Sequence, residues 1–74
     1  MRLKDDADIV EFLKQATRCS HDVWLETEED RLNLKSAITQ YITIVILRKK
    51  EIRWNAEIIC SDEDYPLLEK YLCK

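Results

Sequence analysis

Several groups of residues in this 74-residue chain have side chains that could do chemistry. Ser36 follows Lys35 and precedes a short apolar stretch. At the start of a helix its hydroxyl can cap free backbone N–H groups, worth about 1 kcal/mol. The same position suits a phosphate, which meets those N–H groups and the positive end of the helix dipole, with Lys35 and Arg31 as nearby cations. Both readings stay open. Asp5, Asp6 and Asp8 crowd one helix start. A carboxylate can accept a phosphoryl group, but transfer needs positive charge around it. Capping and dipole matching account for all three aspartates. Cys19-Ser20-His21 offers too few ligands for a structural zinc and no third group to orient a thiol–imidazole pair, so it reads as a solvated loop. Arg48, Lys49, Lys50 and Arg53 with Trp54 combine cations and an aromatic, the mixture that binds single-stranded nucleic acid. A solvated hairpin turn explains the same charges.

These residues must be positioned by a small set of elements. Residues 2–4 suffice only for a short strand. Ile9, Phe12, Leu13 and Ala16 recur at helical spacing, which predicts a helix over about 6–18, capped by Asp5 or Asp6 and closed by Arg18. "HDVWLET" and "RLNL" alternate on either side of a turn-like "EED", an antiparallel hairpin with one apolar face. Ser36 then opens a short helix over about 37–42. "TIVIL" (43–47) is β-branched and unbroken, and suits either a continuation of that helix or a strand. "RKKE" reads as a turn. "IRWNAEIIC" alternates Ile52, Trp54, Ala56, Ile58 and Cys60, which predicts a long strand with Trp54 facing the core. "SDEDYPLLEKYL" predicts a final helix with Pro66 in its first turn and Tyr65, Leu68 and Leu72 on one face. Helices interleaved with antiparallel hairpins predict an α+β two-layer sandwich, mainly antiparallel sheet with helices on one face, as a single domain over 1–74.

Bulk properties narrow the function. The composition, 46% hydrophobic and 36% charged, is that of a globular chain. The net charge of −3 gives the molecule no overall attraction to nucleic acid or anionic lipid. Three cysteines without metal-type spacing and a charged "MRLKDD" start predict reduced thiols in a cytoplasmic protein, with neither signal peptide nor membrane span. Cys60 is expected in the core and Cys73 at a frayed end. Glycine is absent, so every turn falls to Asn, Asp, Lys or Glu.

The element order and several phrases resemble HPr, the histidine-containing phosphocarrier protein of the sugar phosphotransferase system. The likeness is tightest over residues 11–36. "KQATRCSHDVWLE" is similar to the end of the family's first helix and its second strand, and "LNLKS" to its third strand and regulatory serine. "AEIICSDED" is similar to its last strand and the start of its final helix. The departures fall on the chemistry. The family's Gly-Ile-His-Ala-Arg-Pro run is replaced by "KDDADIV". Counting back from Ser36 without gaps, Asp5 stands where the family has its phosphorylated histidine and Ala7 where it has the supporting arginine. The one histidine, His21, lies in another segment. A longer insert, "TIVILRKKEIRW", replaces the family's glycine-containing turn.

The resemblance implies a degenerate HPr-like protein that has lost histidine phosphotransfer and kept a binding surface. It is expected to be no enzyme and to need no cofactor or metal. Ser36 stands where the family is phosphorylated by a regulatory kinase, and Lys35, Ala37, Ile38, Gln40 and Tyr41 form the surface such a partner reads. Partners are then cytosolic proteins, the kinase or a regulator of carbon metabolism among them. The alternative is a small nucleic-acid-binding module using the basic 48–54 hairpin, which the negative net charge disfavours. The thin stability margin of so small a chain and the exposed-edge character of "TIVIL" point to a homodimer.

Overall fold

The computed structural model describes residues 1–73. The chain runs β1 (Arg2–Leu3), α1 (Ile9–Arg18), β2 (Trp24–Glu26), β3 (Arg31–Asn33), α2 (Ala37–Leu47), α3 (Lys50–Asn55), β4 (Glu57–Ile59), α4 (Tyr65–Leu68), a 3-10 turn (Glu69–Tyr71) and β5 (Leu72–Cys73). All strand pairs are antiparallel: one sheet has the order β3-β2-β4, the other pairs β1 with β5. The Ile58 N–H donates to the Met1 carbonyl at 2.6 Å and joins the two sheets edge to edge. The fold is a small α+β sandwich, as the pattern predicts.

Alternation in the strands sets the inner face. Leu25, in the middle strand, lies opposite Leu32 on one side and Ile58 on the other. Its neighbours Trp24 and Glu26 turn outward, where the Arg31 guanidinium stacks 4.4 Å from the Trp24 ring. Phe12, Leu13 and Ala16 of α1 are buried in the same core as Val23, Leu25, Leu34 and Ile58. Leu68, Tyr71 and Leu72 close it, with the Tyr71 ring edge-on to Phe12 at 5.9 Å. Leu32, Cys60, Ile9 and Tyr65 pack partly buried around this cluster. No described residue takes a positive φ, consistent with a chain that has no glycine.

The structure corrects the expected elements at several points. α1 starts at Ile9, and its cap is Asp8, whose Oδ1 accepts the Glu11 N–H at 3.2 Å. "TIVIL" continues α2 to Leu47. The run is uncharged and apolar from Ile44 on, and so carries no clear period; burial of Thr43 and Leu47 one turn apart selects the helix. Residues 50–55 form α3, so the 48–54 segment is a short corner at 48–49 followed by most of a helix, and no hairpin. The expected 52–60 strand shrinks to Glu57–Ile59, and only Ala56 and Ile58 of its inner set are buried. Trp54 is 59% exposed. Cys73 is held in β5 opposite Arg2. "TIVIL" therefore offers no strand edge for self-pairing.

Candidate functional site

Ser36 occupies the N-cap of α2 with an extended backbone, φ −78° and ψ 127°, as a cap should. Its hydroxyl makes no capping hydrogen bond and is exposed, so the expected capping interaction is not formed. Lys35 points away from that hydroxyl: its Nζ donates to the Cys19 carbonyl at the C-terminal end of α1, where a cation meets the negative end of the dipole. Gln40 also faces inward. Its amide donates to Thr17 Oγ1 at 2.7 Å and to the Leu34 carbonyl at 2.8 Å, tying α2 to α1 and to the end of the hairpin. Of the five residues assigned to a partner surface, Lys35 and Gln40 thus hold the fold together. Ala37, Ile38 and Tyr41 are exposed.

The insert adds to these three. Inward positions on α2 are Gln40, Thr43 and Leu47; the opposite stripe is Ile38, Tyr41, Ile42 and Val45, respectively 75%, 76%, 45% and 63% exposed. Spacing of three, four and seven residues places them on one side of the helix. α2 carries no charged residue over its eleven positions, in a chain that is 36% charged. Beside the stripe, α1 and α2 enclose a groove of about 300 Å³ lined by Val10, Leu13, Ala37, Tyr41 and Ile44, with Lys14 and Gln40 at its margin. Lys14 is paired with Glu11 at 3.2 Å. The sequence alone does not assign Ile42, within the expected 37–42 helix, to the surface, and it leaves open whether Val45 belongs to helix or strand.

Asp5 is exposed on the β1–α1 connection and its Oδ1 accepts the Trp54 indole N–H at 3.1 Å. Arg53 reaches the same connection, donating to the carbonyls of Lys4 and Ala7. The basic segment is thereby divided: Arg48, Lys49 and Lys50 are exposed, whereas Arg53 serves as a clamp between α3 and β1–α1. Next to it, Glu51 shares the wall of a second groove, about 310 Å³, with Glu28, Glu29 and Asp30 of the hairpin loop. That negative charge opposes a nucleic-acid backbone.

One cluster was not anticipated. Cys19 is buried, unlike the solvated loop expected for it. Next to it Asp64, 2% exposed, accepts the N–H groups of Ser20 and His21 and the Ser61 hydroxyl at 2.8, 2.9 and 3.0 Å. Serine, histidine and aspartate together invite a catalytic reading, but the connectivity is wrong for a triad. Ser61 Oγ and Asp64 Oδ2 both approach the same ring nitrogen, His21 Nδ1, at 3.3 and 3.4 Å. The serine donates to the aspartate, so the imidazole does not stand between them. Burial would raise the Asp64 carboxyl pKa; the hydrogen bonds from Ser20, His21 and Ser61 outweigh it and hold the carboxyl below the usual aspartate range. Burial, followed by the Asp64 charge, pushes the thiols of Cys19 and Cys60 up, away from nucleophilic thiolate. The cluster fastens the α1–β2 loop to the start of α4. No sequence signal could announce it, because its partners lie more than forty residues apart.

Among the described residues no helix is long and apolar enough to cross a membrane, and no group of three or more His, Cys, Asp or Glu is arranged to hold a metal ion. No protein-family model, curated protein or solved structure matches the chain.

Proposed function

We propose that the protein is a non-catalytic, HPr-like regulatory module that binds other proteins through the outer face of α2. The observation that carries this reading is the stripe Ile38, Tyr41, Ile42 and Val45, an uncharged helix face left open to solvent beside an apolar groove. Contiguous exposed apolar patches of this kind mark interaction sites on small proteins. The exposed Ser36 hydroxyl lies at the N-terminal end of the same helix and is not spent on capping. Phosphorylation by a regulatory kinase would place charge at the edge of the docking face and change what binds there. Asp5, Asp6 and Asp8 stand in place of phosphocarrier chemistry, and the partners are cytosolic proteins, regulators of carbon metabolism among them.

The test is capture from native cytosol on immobilised protein, comparing the unmodified chain with Ile38→Lys and Tyr41→Lys. Both substitutions alter exposed positions and leave the fold intact, as circular dichroism will check. Retention of specific proteins by the unmodified chain and their loss with both variants supports the reading. Equal capture by all three removes α2 from it. A second reading, single-stranded nucleic acid on Arg48, Lys49, Lys50 and Trp54, draws on the exposure of those four side chains. Salt-dependent binding of an oligonucleotide, weakened by Trp54→Ala, would favour it.

A further inference from the structure

We infer that in the absence of another partner the α2 face is covered by a second copy of this chain, in a weak, two-fold symmetric dimer. The inference rests on the reading of α2 as the docking face and names its occupant. The first argument is shape. A ridge (Ile38, Ile42, Val45) and a groove (Val10, Ala37, Tyr41, Ile44) lie side by side on the same surface. A two-fold axis brings each ridge onto the other copy's groove, the self-complementary arrangement that an isologous interface requires. Ile38 and Val45 lie seven residues apart, about 10 Å along the helix. With the two-fold axis running along α2 the two helices lie side by side and parallel, and Ile42 and Val45 of each copy meet the groove residues Tyr41 and Ile44 of the other.

The second argument is charge. Each chain carries a net charge of −3, yet α2 contributes none of it, and Lys14 at the groove margin is already paired with Glu11. A second copy therefore meets no like charge across the contact. A strongly charged partner would find nothing there to pair with, and its own charges would lose water without compensation.

The third argument is area. At about 25 cal/mol per Å² and about 1.5–3 kcal/mol per buried side chain, each valine or isoleucine represents roughly 60–120 Å², and a tyrosine about 150–250 Å². Scaled by exposure, the stripe together with Val10 offers roughly 400 Å² of apolar surface per chain, or roughly 800 Å² for the pair. Added polar rim brings this to the low end of specific interfaces, below about 1,200 Å², where association is reversible. The expected dissociation constant is of order 1–100 µM.

Sedimentation velocity over a concentration series from about 1 µM to about 500 µM, bracketing that range, reads the equilibrium directly. The unmodified chain is expected to shift from monomer to dimer. Val45→Lys and Ile38→Lys should each raise the dissociation constant at least about tenfold, since a lysine would be buried unpaired at the contact. Leu67→Lys, on exposed surface of α4, should leave it unchanged. Nuclear magnetic resonance signals of residues 38, 41, 42 and 45 should move on dilution of the unmodified protein, a readout that needs no variant to fold. A monomer at the top of the series overturns the dimer, as does an unchanged constant in Val45→Lys. A monomeric chain that still captures proteins through Ile38 overturns the dimer alone and leaves the docking face standing.

Discussion

The Asp64 carboxylate reaches back 43 residues to the backbone of His21, whose N–H it accepts at 2.9 Å, and its other oxygen takes the N–H of Ser20 at 2.8 Å. These bonds require the ionised carboxylate, and they hold its pKa below the ordinary value of about 3.9. A depressed folded-state pKa contributes stability that is fully present above the unfolded value and is lost as the pH falls through the folded one. Acidification below about pH 4 should therefore weaken the unmodified protein more than Asp64→Asn, which is already weaker at neutral pH. Urea unfolding at a series of pH values checks this, and parallel stability curves for the two proteins would show that the aspartate charge is not what fastens the loop.

Leu25 is the centre of the three-stranded sheet, fully buried and flanked by Leu32 and Ile58. Leu25→Ala should cost about 2–5 kcal/mol, a transfer loss plus a cavity that short strands cannot collapse around. A domain of this size has of order 4–11 kcal/mol in total, so the variant should be largely destabilised. Chemical denaturation measures the difference. A loss below about 0.5 kcal/mol would be the size of a surface substitution and would mean that this side of the strand does not face the core.

The strand register was legible because alternation and burial coincide in β2 and β3: Leu25, Leu32 and Leu34 sit inward as spaced, and so do Phe12, Leu13 and Ala16 on α1. The region from 43 to 55 was not legible, for two different physical reasons. "TIVIL" is uncharged throughout and apolar from Ile44 on, so neither a period of two nor of 3.6 is written in it, and its helix is chosen by packing of Thr43 and Leu47. "IRWNA" does alternate, but Ile52 and Trp54 belong to α3, where Arg53 and Trp54 are recruited by the β1–α1 connection. Sequence spacing cannot anticipate a bond across 49 residues. The proposed docking face was partly legible: Ile38 and Tyr41 came with the resemblance at Ser36, while Val45 needed α2 to run on to Leu47.

Thr43 is fully buried on the inner side of α2, and its hydroxyl has no hydrogen-bond partner among the described residues. A buried unpaired hydroxyl carries a desolvation cost of about 1–3 kcal/mol, while valine has nearly the same shape and none of that cost. Thr43→Val should raise stability by about 1 kcal/mol. A thermal midpoint several degrees higher is the expected reading for so small a domain. A lower midpoint would show that the hydroxyl is satisfied in solution.

Phosphoryl transfer is the sharpest test of the proposed loss of phosphocarrier chemistry. Incubated with phosphoenolpyruvate and the first enzyme of the phosphotransferase system, the protein should take up no phosphate. Asp5, aligned with the family's histidine only by the proposed resemblance, uses its carboxylate to hold the Trp54 indole, and its neighbours Asp6 and Asp8 add negative charge. Arg53, which reaches this connection, donates to the Lys4 and Ala7 carbonyls and is not aimed at the carboxylate, and the adjacent Lys4 is one cation against three aspartates. An incoming phosphoryl group would meet repulsion where transfer requires positive charge. His21 offers no substitute, since its Nδ1 is turned to Ser61 and to the Asp64 carboxylate, again a negative surrounding. Radiolabelled phosphoenolpyruvate gives the readout. Stoichiometric label that disappears in Asp5→Ala or His21→Ala would return the protein to the carriers.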